Sequence, residues 1–147
     1  MRHLIAGYDP ATDRVYGHVK AGKGRTEFLA FVRYLRSLHQ PEVRIAIVMD
    51  NFSPHLSTKT DDRVGALAAA NNVELAYVPF YASWLDWIEA QFTALRYFAL
   101  DSTDHPRHRE QASMIRRYIA WRNRHTTDRR LRRIVRRAEL IKRAKVA

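Results

Sequence analysis

The chain has 147 residues, 46% of them hydrophobic, which is enough to build one hydrophobic core. Its 26 Lys and Arg against 15 Asp and Glu give a formal charge of +11, which favours a polyanionic partner such as nucleic acid. The lack of cysteine excludes disulfides and thiolate metal sites, so a metal would need oxygen or imidazole ligands. Neither a membrane span nor a signal peptide is recognised, so we expect a cytoplasmic protein without a membrane partner.

The positive charge is concentrated in the C-terminal third. Residues 1–100 contain 11 basic and 10 acidic side chains, whereas residues 101–147 contain 15 basic and 5 acidic ones. No internal repeat or low-complexity linker separates the two parts. We therefore predict one domain over residues 1–147, with a basic helical region from about residue 101.

The first half of the chain predicts alternating strands and helices. Residues 2–8 and 14–20 predict a hairpin, and its turn explains Asp9 and Asp13. Apolar spacing predicts a helix over residues 26–39, and the β-branched run 43–49 predicts a central strand covered on both faces. A helix over about 60–70 and a strand over 73–78 follow, with Asp61 and Asp62 as structural residues of the helix N-terminus.

The second half of the chain predicts helices. Apolar residues return at helical spacing at Leu85, Ile88, Phe92, Leu95 and Phe98. Two further helices are predicted over about 108–124 and 127–145. In the last helix a narrow apolar stripe is formed by Leu131, Ile134, Val135 and Ala138. The whole order predicts an α/β fold with a helical C-terminal block.

Arginines outside that stripe are predicted to contact DNA phosphates. A solvated helix face normally mixes both signs of charge, but acidic residues are few here, which favours phosphate contact. The predicted DNA-binding residues are Arg116, Arg117, Arg122, Arg124, Arg129, Arg130, Arg132, Arg133, Arg136 and Arg137. Such contacts carry no base information, so we do not expect sequence-specific binding.

Two acidic positions are candidates for chemistry. Asp50 directly follows the apolar strand, and ligands bind at the carboxyl ends of strands in open α/β sheets, although an Asp-Asn pair caps turns equally well. Glu89 lies beside the apolar stripe of the next helix, where a carboxylate needs a partner and a metal would serve. The nearby Trp84 and Trp87 fit core packing better than base stacking.

Two stretches of the sequence resemble a known family. Residues 48–55 read Val-Met-Asp-Asn-Phe-Ser-Pro-His, and residues 79–89 read Pro-Phe-Tyr-Ala-Ser-Trp-Leu-Asp-Trp-Ile-Glu. Together they resemble the DDE-type transposases of mariner-like bacterial insertion sequences, over essentially the whole chain. The resemblance implies an RNase H-like α/β fold, in which helices flank a mixed sheet. It also implies that Asp50 and Glu89 are catalytic metal ligands, supported by Asn51, His55 and Asp86.

The resemblance implies two-metal phosphoryl transfer with Mg²⁺ or Mn²⁺ on DNA, both at insertion-element ends and at a target. A homodimer is compatible with it. His55 would orient water or phosphate, or else cap the following helix.

Three departures from the family pattern leave enzymatic activity open. The family's first aspartate lies on a strand upstream of the hairpin with which this chain starts, which implies a missing first strand and an incomplete triad. Asp86 stands where the family has Asn, and the interval of 39 positions from Asp50 to Glu89 is longer than the common one. The alternatives are a non-catalytic DNA-binding remnant and another RNase H-like nuclease.

Overall fold

The computed structural model describes residues 2–78, 85–100 and 108–146. The chain divides into two compact units: the central unit, residues 20–85, and the terminal unit, residues 1–19 with 86–147. The described ranges contain five α-helices and two two-stranded sheets, so the predicted α/β class is confirmed. None of the described helices is long and apolar enough to cross a membrane.

The elements follow the order expected from the sequence. They are β1 (His3–Asp9), β2 (Arg14–Lys20), α1 (Arg25–Ser37), β3 (Ile45–Met49), α2 (Arg63–Ala70), β4 (Val73–Tyr77), α3 (Asp86–Leu95), α4 (His108–Arg124) and α5 (Arg129–Val146). A 3₁₀ turn, Ser53–His55, follows β3, and a π-helical segment, Arg96–Leu100, follows α3. Helix α2 begins later than predicted because Thr58 and Asp61 close a turn through two mutual hydrogen bonds.

In the central unit, β3 and β4 pair in parallel, with Ile45 opposite Val73 and Met49 opposite Tyr77. One face of this sheet packs on α1 and α2. The buried residues of that core are Phe28, Leu29, Val32, Met49, Val64, Leu67, Ala68 and Val73. The prediction that β3 is covered on both faces is wrong, because its alternate residues point the other way and Val48 is 43% exposed.

A buried arginine ties the central unit together. Arg36 lies near the end of α1 and donates hydrogen bonds to the backbone carbonyls of Gln40, Val43 and Asn72. These carbonyls precede β3 and β4, so one guanidinium holds the starts of both strands. Burial of the charged guanidinium is tolerated because its N–H groups donate hydrogen bonds to these carbonyls.

In the terminal unit, α5 packs along α3. The side chains of Ala90 and Ala94 on α3 are fully buried at 0% exposure, whereas Phe92, expected on the buried stripe, is exposed. The buried face is therefore rotated from the predicted one. Large apolar residues suggested the wrong face, while the two alanines leave room for close helix packing.

The hairpin of the terminal unit is fastened to α4. Val15 donates from its N–H to the Asn123 Oδ1 atom at 2.9 Å and accepts at its carbonyl from Asn123 Nδ2 at 2.8 Å. A Cβ atom at Gly17 would lie 2.8 Å from Ile119 Cδ1, so a larger residue there would require the Ile119 side chain to move.

Candidate active site and basic surface

Asp50 lies at the carboxyl end of β3, where the parallel ladder ends with the Val78 N–H donating to the Met49 carbonyl at 2.9 Å. Its side chain is 36% exposed. The Phe52 N–H donates to Asp50 Oδ1 at 3.3 Å, which is the turn-capping contact that the sequence left open. Asp50 Oδ2 has no hydrogen-bond or ion-pair partner among the described residues, so the capped carboxylate keeps one oxygen for a ligand.

His55 is held against Asp50. Its Nδ1 atom lies 2.9 Å from Asp50 Oδ1 and 3.2 Å from the Asp50 carbonyl oxygen. The imidazole packs on the Phe28 ring at a centroid distance of 4.5 Å, and the Tyr77 hydroxyl donates to the His55 carbonyl at 2.6 Å. These contacts fix the ring and leave Nε2 as the nitrogen available to water or phosphate.

The alternative role of His55 as a helix cap is wrong. Helix α2 begins at Arg63, and its N-cap residue is Asp62. His55 instead ends the 3₁₀ turn that Pro54 helps to form. Asn51 is exposed beside Asp50.

Arg25 positions the loop after Asp50, and the sequence analysis missed it. Its guanidinium donates to the carbonyls of Ser53 and Leu56 at 3.2 and 3.1 Å and to Asp61 Oδ2 at 2.9 Å. Hydrogen bonds from Arg63 and Arg25 hold the pKa of the Asp61 carboxyl below its usual range. Asp61 is thus a structural ion-pair residue, as the sequence suggested, although it lies before the helix.

Asp86 and Glu89 lie one turn apart at the start of α3. Asp86 is 7% exposed, and Glu89 is half-buried. A helix N-terminus favours negative charge, which suits both carboxylates. Residues 79–84, including Trp84, lie outside the described residues.

The donor chemistry of these residues suits a hard cation. Asp50, Asp86 and Glu89 offer carboxylate oxygens, the ligands that Mg²⁺ and Mn²⁺ prefer. Within the described ranges, no three or more His, Asp or Glu side chains form a group that could hold a metal ion. Asp50 belongs to the central unit and Glu89 to the terminal unit, so their sharing of a metal stays a prediction.

Helix α5 has the predicted division between an apolar and a basic face. Leu131 and Ala138 are buried, and Ile134 and Val135 are half-buried. The exposed arginines are Arg129, Arg130, Arg132, Arg133, Arg136 and Arg137 on α5 and Arg116, Arg117 and Arg124 on α4. Nine of the ten predicted arginines are therefore accessible to a phosphate backbone.

Arg122 does not lie on that surface. It is 2% exposed, and its Nη2 atom lies 2.5 Å from Asp13 Oδ1 while Nε donates to Gln91 Oε1 at 3.0 Å. It also donates to the Asp13 carbonyl. The prediction of Arg122 as a DNA contact is wrong, because its charge is neutralised inside the fold.

Tyr8 completes this network. Its hydroxyl donates to Asp13 Oδ1 at 2.9 Å. Burial, followed by the hydrogen bond to Asp13, raises the pKa of Tyr8 to about 12. The phenol therefore stays a donor at all physiological pH values.

Some of the exposed arginines are held in place by contacts with neighbouring groups. Arg130 donates to the Tyr97 hydroxyl at 2.8 Å and lies over the rings of Tyr97 and Phe98, with centroid distances of 5.3 and 5.5 Å. Arg132 uses its Nε to donate to the Thr126 carbonyl at 2.9 Å. Such contacts pre-order a guanidinium while leaving other N–H groups for a ligand.

Comparison with known families assigns the chain to a class. The model of a family described as DDE superfamily endonuclease matches residues 3–111, which include β1 through α3 and both candidate carboxylates. The chain belongs to this family and carries a DDE-type transposase domain. Its α/β architecture is consistent with the RNase H-like fold of such domains. No curated protein matches the chain.

Proposed function

We propose that this chain catalyses DNA strand cleavage and strand transfer by metal-dependent phosphoryl transfer, as part of a transposase of mariner-like type. The observation that carries the proposal is Asp50, which stands at the end of β3 with one carboxylate oxygen unengaged by described residues, inside the family match. Asp50 and Glu89 are the proposed catalytic metal ligands. Asp86, one turn from Glu89, adds a carboxylate to the same helix end.

Bound Mg²⁺ or Mn²⁺ would supply activation of a water or a DNA 3′-hydroxyl and stabilisation of the leaving oxygen. The chain's own contribution at Asp50 is positioning. His55 donates from Nδ1 to Asp50 and so orients the carboxylate, as groups behind metal ligands commonly do. Asn51 is placed to bind water or phosphate beside it.

The arginines of α4 and α5 would hold the DNA backbone. Glu139 is the only acidic residue between Arg129 and Ile141, so the exposed face of α5 is almost uniformly positive. Phosphate neutralisation by such a face releases counterions and makes binding strongly salt-dependent. The proposed DNA partners are insertion-element ends and a target duplex.

A plasmid-nicking assay tests the proposal. We expect Mg²⁺- or Mn²⁺-dependent nicking that falls at least about 100-fold in Asp50→Asn and in Glu89→Gln, since even outer-shell partners of metals are worth 10- to 100-fold. Glu74→Gln is the matched control, because Glu74 is an exposed carboxylate on β4 that pairs with exposed Arg44. It should nick like the wild type.

Other outcomes would contradict the proposal in different ways. Nicking that survives both substitutions would exclude Asp50 and Glu89 as ligands. Salt-dependent DNA binding without any nicking by the wild type would favour a non-catalytic DNA-binding protein. Cleavage selective for RNA would favour another nuclease of the same fold.

A further inference from the structure

The terminal unit contains a cavity of about 400 Å³ that the proposed chemistry does not use. Its lining includes Tyr8, Asp13, Arg132, Val135, Arg136 and Glu139. The volume falls within the range of small-molecule sites. Because charged groups of both signs line one opening, the cavity favours a ligand that carries both an anionic group and hydrogen-bond donors.

The cavity lining includes hydrogen-bond acceptors. Arg122 also lines it, but its guanidinium is already neutralised by Asp13. Asp13 Oδ1 accepts from Tyr8 and Arg122, whereas Oδ2 has no partner among the described residues, and the side chain is 43% exposed. Glu139 has no ion-pair partner in the described part of the chain. These two carboxylates are acceptors that amino groups of a ligand would satisfy.

The same lining also includes cations. Arg132 and Arg136 are four positions apart on α5, so their side chains lie on the same side of the helix. Both are exposed, and neither forms an ion pair with a described carboxylate. Paired guanidinium groups bind phosphate through several parallel hydrogen bonds.

We infer that this cavity receives one nucleotide, whose phosphate contacts Arg132 and Arg136 and whose base enters toward Asp13 and Glu139. The nucleotide belongs to DNA bound along α5, so the inference rests on the proposed function. Cytosine, adenine and guanine carry amino groups with two N–H donors that these carboxylates accept from, whereas thymine offers only its N3–H. The cavity therefore gives the basic surface a preference among bases that phosphate contacts cannot supply.

Titration of the whole chain with deoxycytidine and thymidine monophosphates tests the cavity itself. We expect deoxycytidine monophosphate to bind more tightly, and Arg136→Gln to weaken it about tenfold, as for loss of one charge-assisted contact. Arg96→Gln is the matched control, since Arg96 is an exposed arginine of the same unit that neither lines the cavity nor belongs to the proposed DNA-binding surface. Equal loss in the two variants, or equal affinity for thymidine monophosphate, would overturn the inference.

A single-stranded oligonucleotide containing 2-aminopurine tests the DNA source. We expect its fluorescence to rise on binding, because a base that enters the cavity is unstacked, and Val135→Phe to abolish the rise by filling the space. Ile134→Phe, a half-buried neighbour outside the cavity, controls for altered folding. Oligonucleotide binding without a fluorescence change would overturn the inference while leaving the proposed function intact. Binding of the mononucleotide but of no oligonucleotide would overturn both the DNA source and the proposed function.

Discussion

The central and terminal units each pair an aspartate with a basic side chain, but the two pairs differ in sequence separation and in burial. In the central unit, Asp50 and His55 are five positions apart and both partly exposed at a strand end. In the terminal unit, Asp13 and Arg122 are 109 positions apart, and Arg122 is almost wholly buried. Each aspartate keeps one oxygen without a described partner, but the second pair also uses its guanidinium to fasten the hairpin turn to α4.

The two aspartate pairs therefore differ in role: one is available for ligand binding, and the other holds the fold together. A partly exposed pair costs little to keep and is available for a metal or phosphate. In the second pair only the guanidinium is buried, and a buried charge that loses its partner is left without compensation. We therefore expect substitutions at the first pair to change activity and substitutions at the second to change stability.

The largest expected effect is the loss of stability in Arg122→Leu. Removing the guanidinium takes one hydrogen-bond donor from each of Asp13, Gln91 and a backbone carbonyl, and we expect the free energy of unfolding to fall by about 3 kcal/mol. Denaturant unfolding measures the change. Arg117→Leu, at an exposed site on the same helix, should stay within about 0.5 kcal/mol of the wild type. Similar losses in both variants would remove the distinction between buried and surface arginines.

A smaller effect is expected for His55→Ala. Because Nδ1 orients Asp50, the Mg²⁺ concentration needed for half-maximal nicking should rise about tenfold, with DNA affinity unchanged. His39→Ala, at an exposed position of the central unit, is the control. An unchanged metal requirement would show that His55 serves only the local structure.

The smallest effect concerns Tyr118, whose buried hydroxyl has no hydrogen-bond partner among the described residues. Unlike Arg122, it is a buried polar group without compensation, so Tyr118→Phe should leave stability unchanged or raise it by about 1 kcal/mol. Denaturant unfolding at neutral pH measures this. A clear loss of stability would show that the hydroxyl is satisfied in solution.

Measuring the stability of the wild type and of Tyr118→Phe at alkaline pH tests the same hydroxyl. Burial raises the pKa of Tyr118 from 10.0 to about 12, so the folded chain keeps a proton that the unfolded chain loses. Stability from this group is complete below about pH 10 and falls as pH rises toward 12. The Tyr118→Phe variant should lose less stability across that window than the wild type.

The sequence correctly predicted features that depend only on residues close together along the chain. The strand ending at Asp50 and the apolar stripe of α5 are local patterns, and both are confirmed. His55 is only five positions from Asp50, so the short motif that contains both residues already indicated that they lie close together. The apolar spacing from Leu85 onward placed Glu89 on a helix, which the structure also shows.

The sequence could not predict pairs that only the fold brings together. Arg122 looks like any other arginine of the basic block, since its partner Asp13 lies in a turn whose chemistry already explained that aspartate. Ala90 and Ala94 were missed on α3 because small residues contribute little to an apolar pattern, although they are the most buried. Arg25 anchors the loop after Asp50 through backbone carbonyls, which leave no trace in composition.

The contact between Asn123 and Val15 has a consequence for self-association. The side-chain amide engages both backbone groups of Val15, much as a neighbouring strand would. An unoccupied backbone edge invites pairing with another molecule, which is a common route to aggregation. A single amide thus shields one position of the hairpin border from foreign strands.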